Sequence, residues 1–179
     1  MSQNVVIFDL ETQRDIASVG GRDYLERLGV SVGVAYHVGE GRFYHFDESQ
    51  MGELVALLQR ADLVVGYNIR HFDFRVLSAY TEANLSALPT CDLLEEIERV
   101  LGHRVKLDTL AKNTLGLRKS ADGIMALQWW REGQVDLIRD YCQQDVDVTR
   151  RLWEYGHAHG HLWYWDHQQN MRRPVPVQW

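Results

Sequence analysis

The chain has 179 residues, of which 45% are apolar and 25% charged, proportions typical of a globular protein with one domain. No stretch is apolar enough to span a membrane, and the first residues lack the basic segment of a secretory signal, so we expect a cytoplasmic protein. The net charge of −6 argues against a protein that binds nucleic acid through a basic surface. A metal-dependent nuclease is an exception, because bound metals neutralise part of its acidic content. The two cysteines, Cys91 and Cys142, stand in unrelated contexts and are expected to be reduced thiols.

The first predicted strand covers residues 5–12, V-V-I-F-D-L-E-T, whose apolar run is typical of a strand buried on both faces. A loop with a helical turn or two follows over residues 13–29. Strands at 31–37 and 42–46 flank a G-E-G turn and form a predicted hairpin. Helical spacing of apolar residues then predicts a helix over 50–60, and a short apolar strand follows at 62–66.

The second half of the chain is predicted to be mainly helical. One helix begins near Asp73, and a short edge strand occupies residues 88–91. Asp92 and Glu95 are predicted to form a capping box for the next helix. This helix and three later ones are assigned to residues 92–101, 107–115, 120–131 and 134–155, the last ended by Gly156.

The element order predicts one α/β domain over residues 1–179, with a mixed central sheet flanked by helices. Its core is expected to span about residues 4–156. The aromatic tail, residues 157–179, is predicted to fold as a hairpin that packs on this core.

Two acids, Asp9 and Glu11, interrupt the C-terminal end of the first strand. Because side chains in a strand repeat with a period of two, both carboxylates face the same side, about 7 Å apart. Two like charges at the end of a buried strand are costly unless a cation compensates them, and a divalent metal would do so. The alternative is a strand-end Asp that caps the next element, beside a solvated Glu.

Three further residues extend this acidic set. Asp73 lies in the first turn of its helix, where the helix dipole favours a carboxylate, so it is either a cap or a ligand. Tyr141 and Asp145 are four residues apart on the long helix and share a face, which also fits a plain Tyr–Asp hydrogen bond. Together the carboxylates of Asp9, Glu11, Asp73 and Asp145 suit two Mg²⁺ or Mn²⁺ ions rather than zinc. Two such ions can clamp a scissile phosphate.

At these positions the sequence resembles a known family. F-D-L-E-T (8–12), G-Y-N-I-R-H-F-D (66–73) and Y-C-Q-Q-D (141–145) resemble, in order and local context, the three exonuclease motifs of the DEDD superfamily. The Y-x-x-x-D spacing is similar to the DEDDy branch, since the position where the sister branch has histidine is Asp140 here. The second motif is also similar to the exonuclease domains of family-B DNA polymerases. The insert at 13–29 and the tail resemble a bacterial subgroup that is stand-alone or fused to helicases.

The resemblance implies a ribonuclease H-like fold, with about five strands of which one is antiparallel. It implies a 3′-5′ exonuclease that hydrolyses single-stranded DNA or RNA from the 3′ end to nucleoside 5′-monophosphates, using two divalent cations, Mg²⁺ or Mn²⁺. A helicase or a polymerase is the protein partner it suggests. An RNA 3′-end trimming enzyme, a non-catalytic nucleic-acid-binding module and an endonuclease of the same fold are the alternatives.

The family also implies a role for each matching residue. Asp9 would contact both metals, Glu11 and Asp145 the metal that holds the attacking water, and Asp73 the second metal. Tyr141 would position the water. The substrate strand would be contacted by four further residues, Leu10, Thr12, Asn68 and Phe72.

Other features have ordinary explanations. Four basic residues are either a phosphate-contacting rim or a solvated basic face, namely Arg104, Lys106, Arg118 and Lys119. Trp129 and Trp130 are expected to pack in the core rather than stack on bases.

Overall fold

The computed structural model describes residues 4–117 and 123–179. Its central sheet has five strands in the order β3-β2-β1-β4-β5. The strands are β1 (Val5–Thr12), β2 (Val30–His37), β3 (Arg42–Phe46), β4 (Leu63–Gly66) and β5 (Thr90–Asp92). β1 pairs in parallel with β4, and β4 with β5, whereas β2 is antiparallel to both β1 and β3. The predicted mixed sheet with one antiparallel strand is therefore confirmed.

Helices cover both faces of the sheet. They are α1 (Met51–Gln59), α2 (Asp73–Leu77), α3 (Leu93–Leu101), α4 (Leu107–Leu110), α5 (Gly123–Arg131) and α6 (Val135–His159). The insert after β1 contains a 3₁₀ segment, Arg22–Arg27. No helix among the described residues combines the length and the apolar character that a membrane crossing requires.

β1 is buried on both faces and separates two hydrophobic cores. Val5 and Ile7 pack in one core with α3, α5 and α6. Val6, Phe8 and Leu10 pack in the other with α1, α2 and the insert. Side chains of a strand alternate between its faces, so the odd-numbered residues that follow Ile7 also point toward α6. This alternation decides where the two acids of β1 lie.

The helical half differs from its prediction in three places. Asp92 caps α3 by accepting a hydrogen bond from the Leu94 N–H (3.1 Å), but Glu95 pairs with Arg70 and His71 instead of closing a capping box. The predicted helix over 107–115 is α4 followed by a π-helical segment, Ala111–Leu115. Separately from these differences, the predicted start of the 120–131 helix lies outside the described residues, as do Arg118 and Lys119.

The third difference concerns the end of α6. The helix runs past Gly156 to His159, and Gly160 (φ +70°) is the left-handed residue that ends it. Gly156 instead provides space, because a Cβ there would lie 2.4 Å from Cζ2 of Trp179. The prediction that Gly156 ends the helix was therefore wrong, since the missing side chain serves packing and not backbone conformation.

The chain closes with an antiparallel hairpin, β6 (His161–Asp166) and β7 (Met171–Pro176). Its inward residues Leu162, Tyr164 and Val175 are buried in the α6-side core. The backbone of Trp163 exchanges hydrogen bonds with the Thr114 hydroxyl (2.9 and 3.0 Å). The hairpin thus packs on the π-helical segment as well as on α6.

Gly66, at the end of β4, should tolerate no side chain. A Cβ there would lie 2.3 Å from Cγ2 of Ile69, which is fully buried. We expect Gly66→Ala to lower the free energy of unfolding by about 1–3 kcal/mol, as overpacking does. Urea unfolding monitored by circular dichroism would measure it.

Gly52 provides the matched control. It is exposed in α1, and a Cβ there would contact nothing within 4 Å. Gly52→Ala should leave stability unchanged or raise it by up to about 1 kcal/mol. Equal stabilities for the two variants would contradict the close approach of Gly66 and Ile69.

Candidate active site

The acids of β1 meet α6. Asp9 and Glu11 have the same parity as Ile7, so both side chains point toward the helix. One oxygen of each carboxylate and the Cys142 sulfur all lie within 4.8 Å of one another. The Cys142 Sγ is 3.5 Å from the Asp9 backbone oxygen and 3.7 Å from Asp9 Oδ2. This carboxylate cluster is the centre of the candidate site.

Asp73 of α2 contacts the same strand. It begins α2, is only 2% exposed, and its Oδ1 accepts a hydrogen bond from the Leu10 N–H (3.1 Å). Burial, and then the nearby charge of Asp9, raise the pKa of the Asp73 carboxyl well above its usual range. A carboxylate held in this environment carries a charge that a cation would stabilise.

Replacing Asp73 by asparagine should stabilise the protein in EDTA. The pKa of Asp73 is higher in the folded state than its value of 3.8 in the unfolded chain. Below pH 3.8 the carboxyl is protonated in both states and does not lower the free energy of unfolding. As the pH rises through the folded pKa, ionisation of the buried carboxyl lowers the free energy of unfolding. The substituted asparagine keeps an oxygen for the Leu10 N–H and carries no charge. We expect a gain of about 1 kcal/mol at about pH 8 that shrinks toward about pH 4.5. Urea unfolding at both pH values measures it, and a gain that grows at low pH would contradict the assignment.

Tyr141 and Asp145 complete the set from α6. The Tyr141 hydroxyl is hydrogen-bonded to the Asp145 carboxylate, one helical turn away. Burial raises the pKa of Tyr141, and the charges of Asp145, Glu11 and Asp9 raise it further. The phenol therefore stays protonated at neutral pH. The Trp129 ring packs edge-on against it at 6.3 Å, and both Trp129 and Trp130 pack against the core.

The buried Cys142 thiol is influenced by the charges of all four acids. It is fully buried, and burial raises the pKa of its thiol, followed by the charges of Asp9, Glu11, Asp145 and Asp73. Sequence reasoning missed this residue. Its position three residues before Asp145 places the two residues on neighbouring positions of one helix face, which was the available signal.

The set of donors fits hard divalent cations. Carboxylate oxygens of Asp9 and Glu11 lie together, Asp73 contacts the same strand, and oxygen is the ligand that Mg²⁺ and Mn²⁺ prefer. Cys142 contributes the only sulfur near the described carboxylates, whereas zinc sites favour several sulfur or nitrogen ligands.

Two cavities flank the acids. The first, about 550 Å³, is lined by Leu10, Glu11, Thr12 and Phe72, together with residues of the insert and of α5. The second, about 560 Å³, is lined by Asp9, Asp145 and Asn68 and by the segment that precedes α4. Three of the predicted substrate residues thus lie in the first cavity, and Asn68 lies in the second.

The insert forms an outer wall of the first cavity. The cavity is lined by residues 14–17 of the insert and by Gly123 and Leu127 of α5. Asp15 pairs with Arg131 at the end of α5 (3.7 Å). The insert therefore shapes one of the two approaches to the carboxylates.

Asn68 is held in an unusual backbone conformation by Asp92. Its φ is +67°, and its N–H donates to Asp92 Oδ1 (2.8 Å), while the Arg70 N–H donates to Oδ2 (3.0 Å). Asp92 is 2% exposed and also caps α3. Sequence reasoning identified only the cap, because the contact with residues 68–70 joins segments more than 20 residues apart.

Comparison with known proteins agrees with this architecture. No curated protein sequence matches the chain. The solved structures that resemble it include the family B DNA polymerase from the hyperthermophilic archaeon Pyrobaculum calidifontis, at 18% identity and a TM-score of 0.67. That match covers 88% of this chain but only 25% of the polymerase, so the chain spans about a quarter of its length. The sequence profile of the RNase H superfamily matches residues 6–158. The chain therefore belongs to the RNase H superfamily, and the ribonuclease H-like fold predicted for it is confirmed.

Proposed function

We propose that the protein is a divalent-metal-dependent 3′-5′ exonuclease that acts on single-stranded nucleic acid. The observation that carries the proposal is the meeting of Asp9 and Glu11 with Cys142 of α6 within 4.8 Å, beside the buried Asp73 that accepts a hydrogen bond from the Leu10 N–H. Tyr141 and Asp145 lie on the same helix as Cys142. The resemblance of the three motifs to those of DEDDy exonucleases supports the polarity. The flanking cavities support a strand that passes across the acids.

Four carboxylates would hold the metals. By resemblance to the family, Asp9 would contribute to holding both ions, Glu11 and Asp145 to holding one of them, and Asp73 to holding the other. When bound there, Mg²⁺ or Mn²⁺ would supply an activated water and neutralise charge on the phosphate. The hydrogen bond from Leu10 fixes the orientation of Asp73, so this ligand is in place before substrate arrives.

The remaining residues would position the reacting groups. The Tyr141 phenol, kept protonated and fixed beside Asp145, would hold the attacking water by a hydrogen bond. Leu10 and Phe72 would contact the terminal nucleoside in the first cavity, which Thr12 also lines. Water oxygen would bond to phosphorus and the P–O3′ bond would break. The shortened strand would leave with a protonated 3′-oxygen, and a nucleoside 5′-monophosphate would be released.

A time course on 5′-labelled strands tests this proposal. Single-stranded DNA and RNA of one sequence are incubated with Mg²⁺ or Mn²⁺, beside a circular single strand. We expect a ladder of labelled strands that shortens from the 3′ end, and an intact circle. The faster strand identifies the nucleic acid. Cleavage of the circle would point to an endonuclease, and no cleavage of any strand would overturn the proposal.

A further inference from the structure

We propose that the second cavity binds the sugar-phosphate backbone on the 5′ side of the scissile linkage, with Arg104 and Lys106 as its phosphate-binding residues. This inference rests on the proposed function and adds the direction in which the strand lies. It assigns a substrate site to the segment between α3 and α4, which none of the three motifs contains.

The cavity joins the acids to this basic segment. Asp9 and Asp145 line one part of it, and Arg104, Val105 and Lys106 line another. The Arg104 side chain is 49% exposed and Lys106 is exposed, so both charged groups can reach a ligand from solvent. A strand whose scissile phosphate lies at the carboxylates would therefore place its next phosphate near these two cations. Asp108 also lines the cavity, at the start of α4.

The basic segment is held in position before any ligand binds. The Tyr67 hydroxyl donates a hydrogen bond to the backbone oxygen of Val105, whose side chain is buried. Arg104 donates to Asn68 Oδ1 (2.5 Å) and lies 3.6 Å from Glu98. A guanidinium has five N–H donors, so Arg104 can keep these contacts and still bind a phosphate oxygen. Ordering the site beforehand lowers the entropic cost of binding.

The two cavities differ in the chemistry they offer. The first presents apolar side chains next to Glu11, among them Leu10, Phe72 and Leu127, which suits a terminal nucleoside that carries no phosphate on its 3′ oxygen. The second presents two cations beside three carboxylates, and the cations suit a chain that continues through further phosphates. In a protein of net charge −6, these two cations are where the phosphates of a polyanion would be held.

Fluorescence anisotropy of a 5′-fluorescein thymidine oligonucleotide of about ten nucleotides measures this site, because single strands of that length occupy one groove. Titrations in Ca²⁺ over a range of salt concentrations compare wild type with Lys106→Ala, Arg104→Ala and the double variant. We expect each single variant to raise Kd about fivefold and to lower the salt slope by about 0.7, the value for one phosphate contact on a single strand. Lys112→Ala, which removes an exposed lysine from the next segment, should leave both quantities unchanged.

Replacing single phosphates by uncharged methylphosphonates identifies the phosphate that Arg104 and Lys106 contact. Oligonucleotides carrying a single methylphosphonate at successive positions should weaken wild-type binding at one or two linkages near the 3′ end. At those linkages Lys106→Ala or Arg104→Ala should add no further loss. Additive losses at every linkage would overturn the assignment, as would Lys106→Ala and Arg104→Ala both behaving like Lys112→Ala.

Measuring binding and hydrolysis separately distinguishes a failure of the phosphate-binding site from a failure of the proposed exonuclease activity. A wild type that binds as described but yields no ladder in Mg²⁺ or Mn²⁺ would contradict the exonuclease and leave the basic site standing. A wild type that yields the ladder while Lys106→Ala and Arg104→Ala keep wild-type Kd and KM would contradict the basic site alone. A wild type that binds no strand in any titration would contradict the site as well.

Discussion

Asp9→Asn should reduce hydrolysis of single-stranded nucleic acid at least about a thousandfold, the scale of losing a group that stabilises charge in the transition state. Asp9 lies against Cys142 and Glu11 and its charge reaches Asp73, so it is the carboxylate that the other elements share. Asparagine keeps the shape and one oxygen but removes the charge needed for a metal. Initial rates on the 5′-labelled strand, with Mg²⁺ in excess, measure the loss.

Asp140→Asn is the matched control. Asp140 is exposed on α6, five residues before Asp145, and its change to asparagine alters the net charge by the same amount. It should retain the wild-type rate. The Asp9→Asn protein should unfold at or above the wild-type temperature in EDTA, because a repulsive charge has been removed from the cluster. An active Asp9→Asn enzyme, or one inactive only because it is unfolded, would contradict the proposed role.

Removing divalent metal should abolish hydrolysis and lower stability together. In EDTA we expect no ladder, and return of Mg²⁺ or Mn²⁺ should restore it. An ion that binds only the folded protein raises the free energy of unfolding, by about 2.7 kcal/mol when its free concentration is about 100 times Kd. Thermal unfolding against Mn²⁺ concentration measures this gain.

The metal-dependent gain in stability should depend on the carboxylate cluster. Asp9→Asn should lose most of the shift in unfolding temperature, whereas Asp140→Asn should show all of it. Equal shifts in the two variants would place the ion elsewhere on this acidic chain. Hydrolysis that persists in EDTA would argue against metal chemistry altogether.

Much of the sheet and the positions of the acids were predictable from local pattern. A strand has a period of two, so the buried run of β1 already implied that Asp9 and Glu11 share a face. The i, i+4 spacing on α6 likewise implied that Tyr141 and Asp145 lie together. These are short-range relations, and the structure reproduces them because the surrounding elements are regular.

Relations between distant segments were not predictable in the same way. Cys142 became part of the site only when α6 packed across β1, and Asp92 acquired its second role only when β4 and β5 paired. Gly156 illustrates the same point, since a glycine near a predicted helix end has two uses and only the position of Trp179 distinguishes them. Arg150 bridges Asp147 and Glu154 on its own helix and also lies over the Tyr36 ring of β2, a contact between distant segments.

Because side chains alternate along β1, a change of register in this strand would alter the site and the hydrophobic cores together. Deleting one residue between Val5 and Asp9 would turn both acids from the α6 side into the opposite core, and it would send apolar side chains the other way. This one-residue shift of register would bury two charges among Leu and Phe side chains and disrupt both cores at once. A variant with this deletion would therefore be unfolded, and it would not accumulate as a folded but inactive protein. Insertions in residues 13–29 lie beyond the strand, so they would leave the alternation of β1 unchanged.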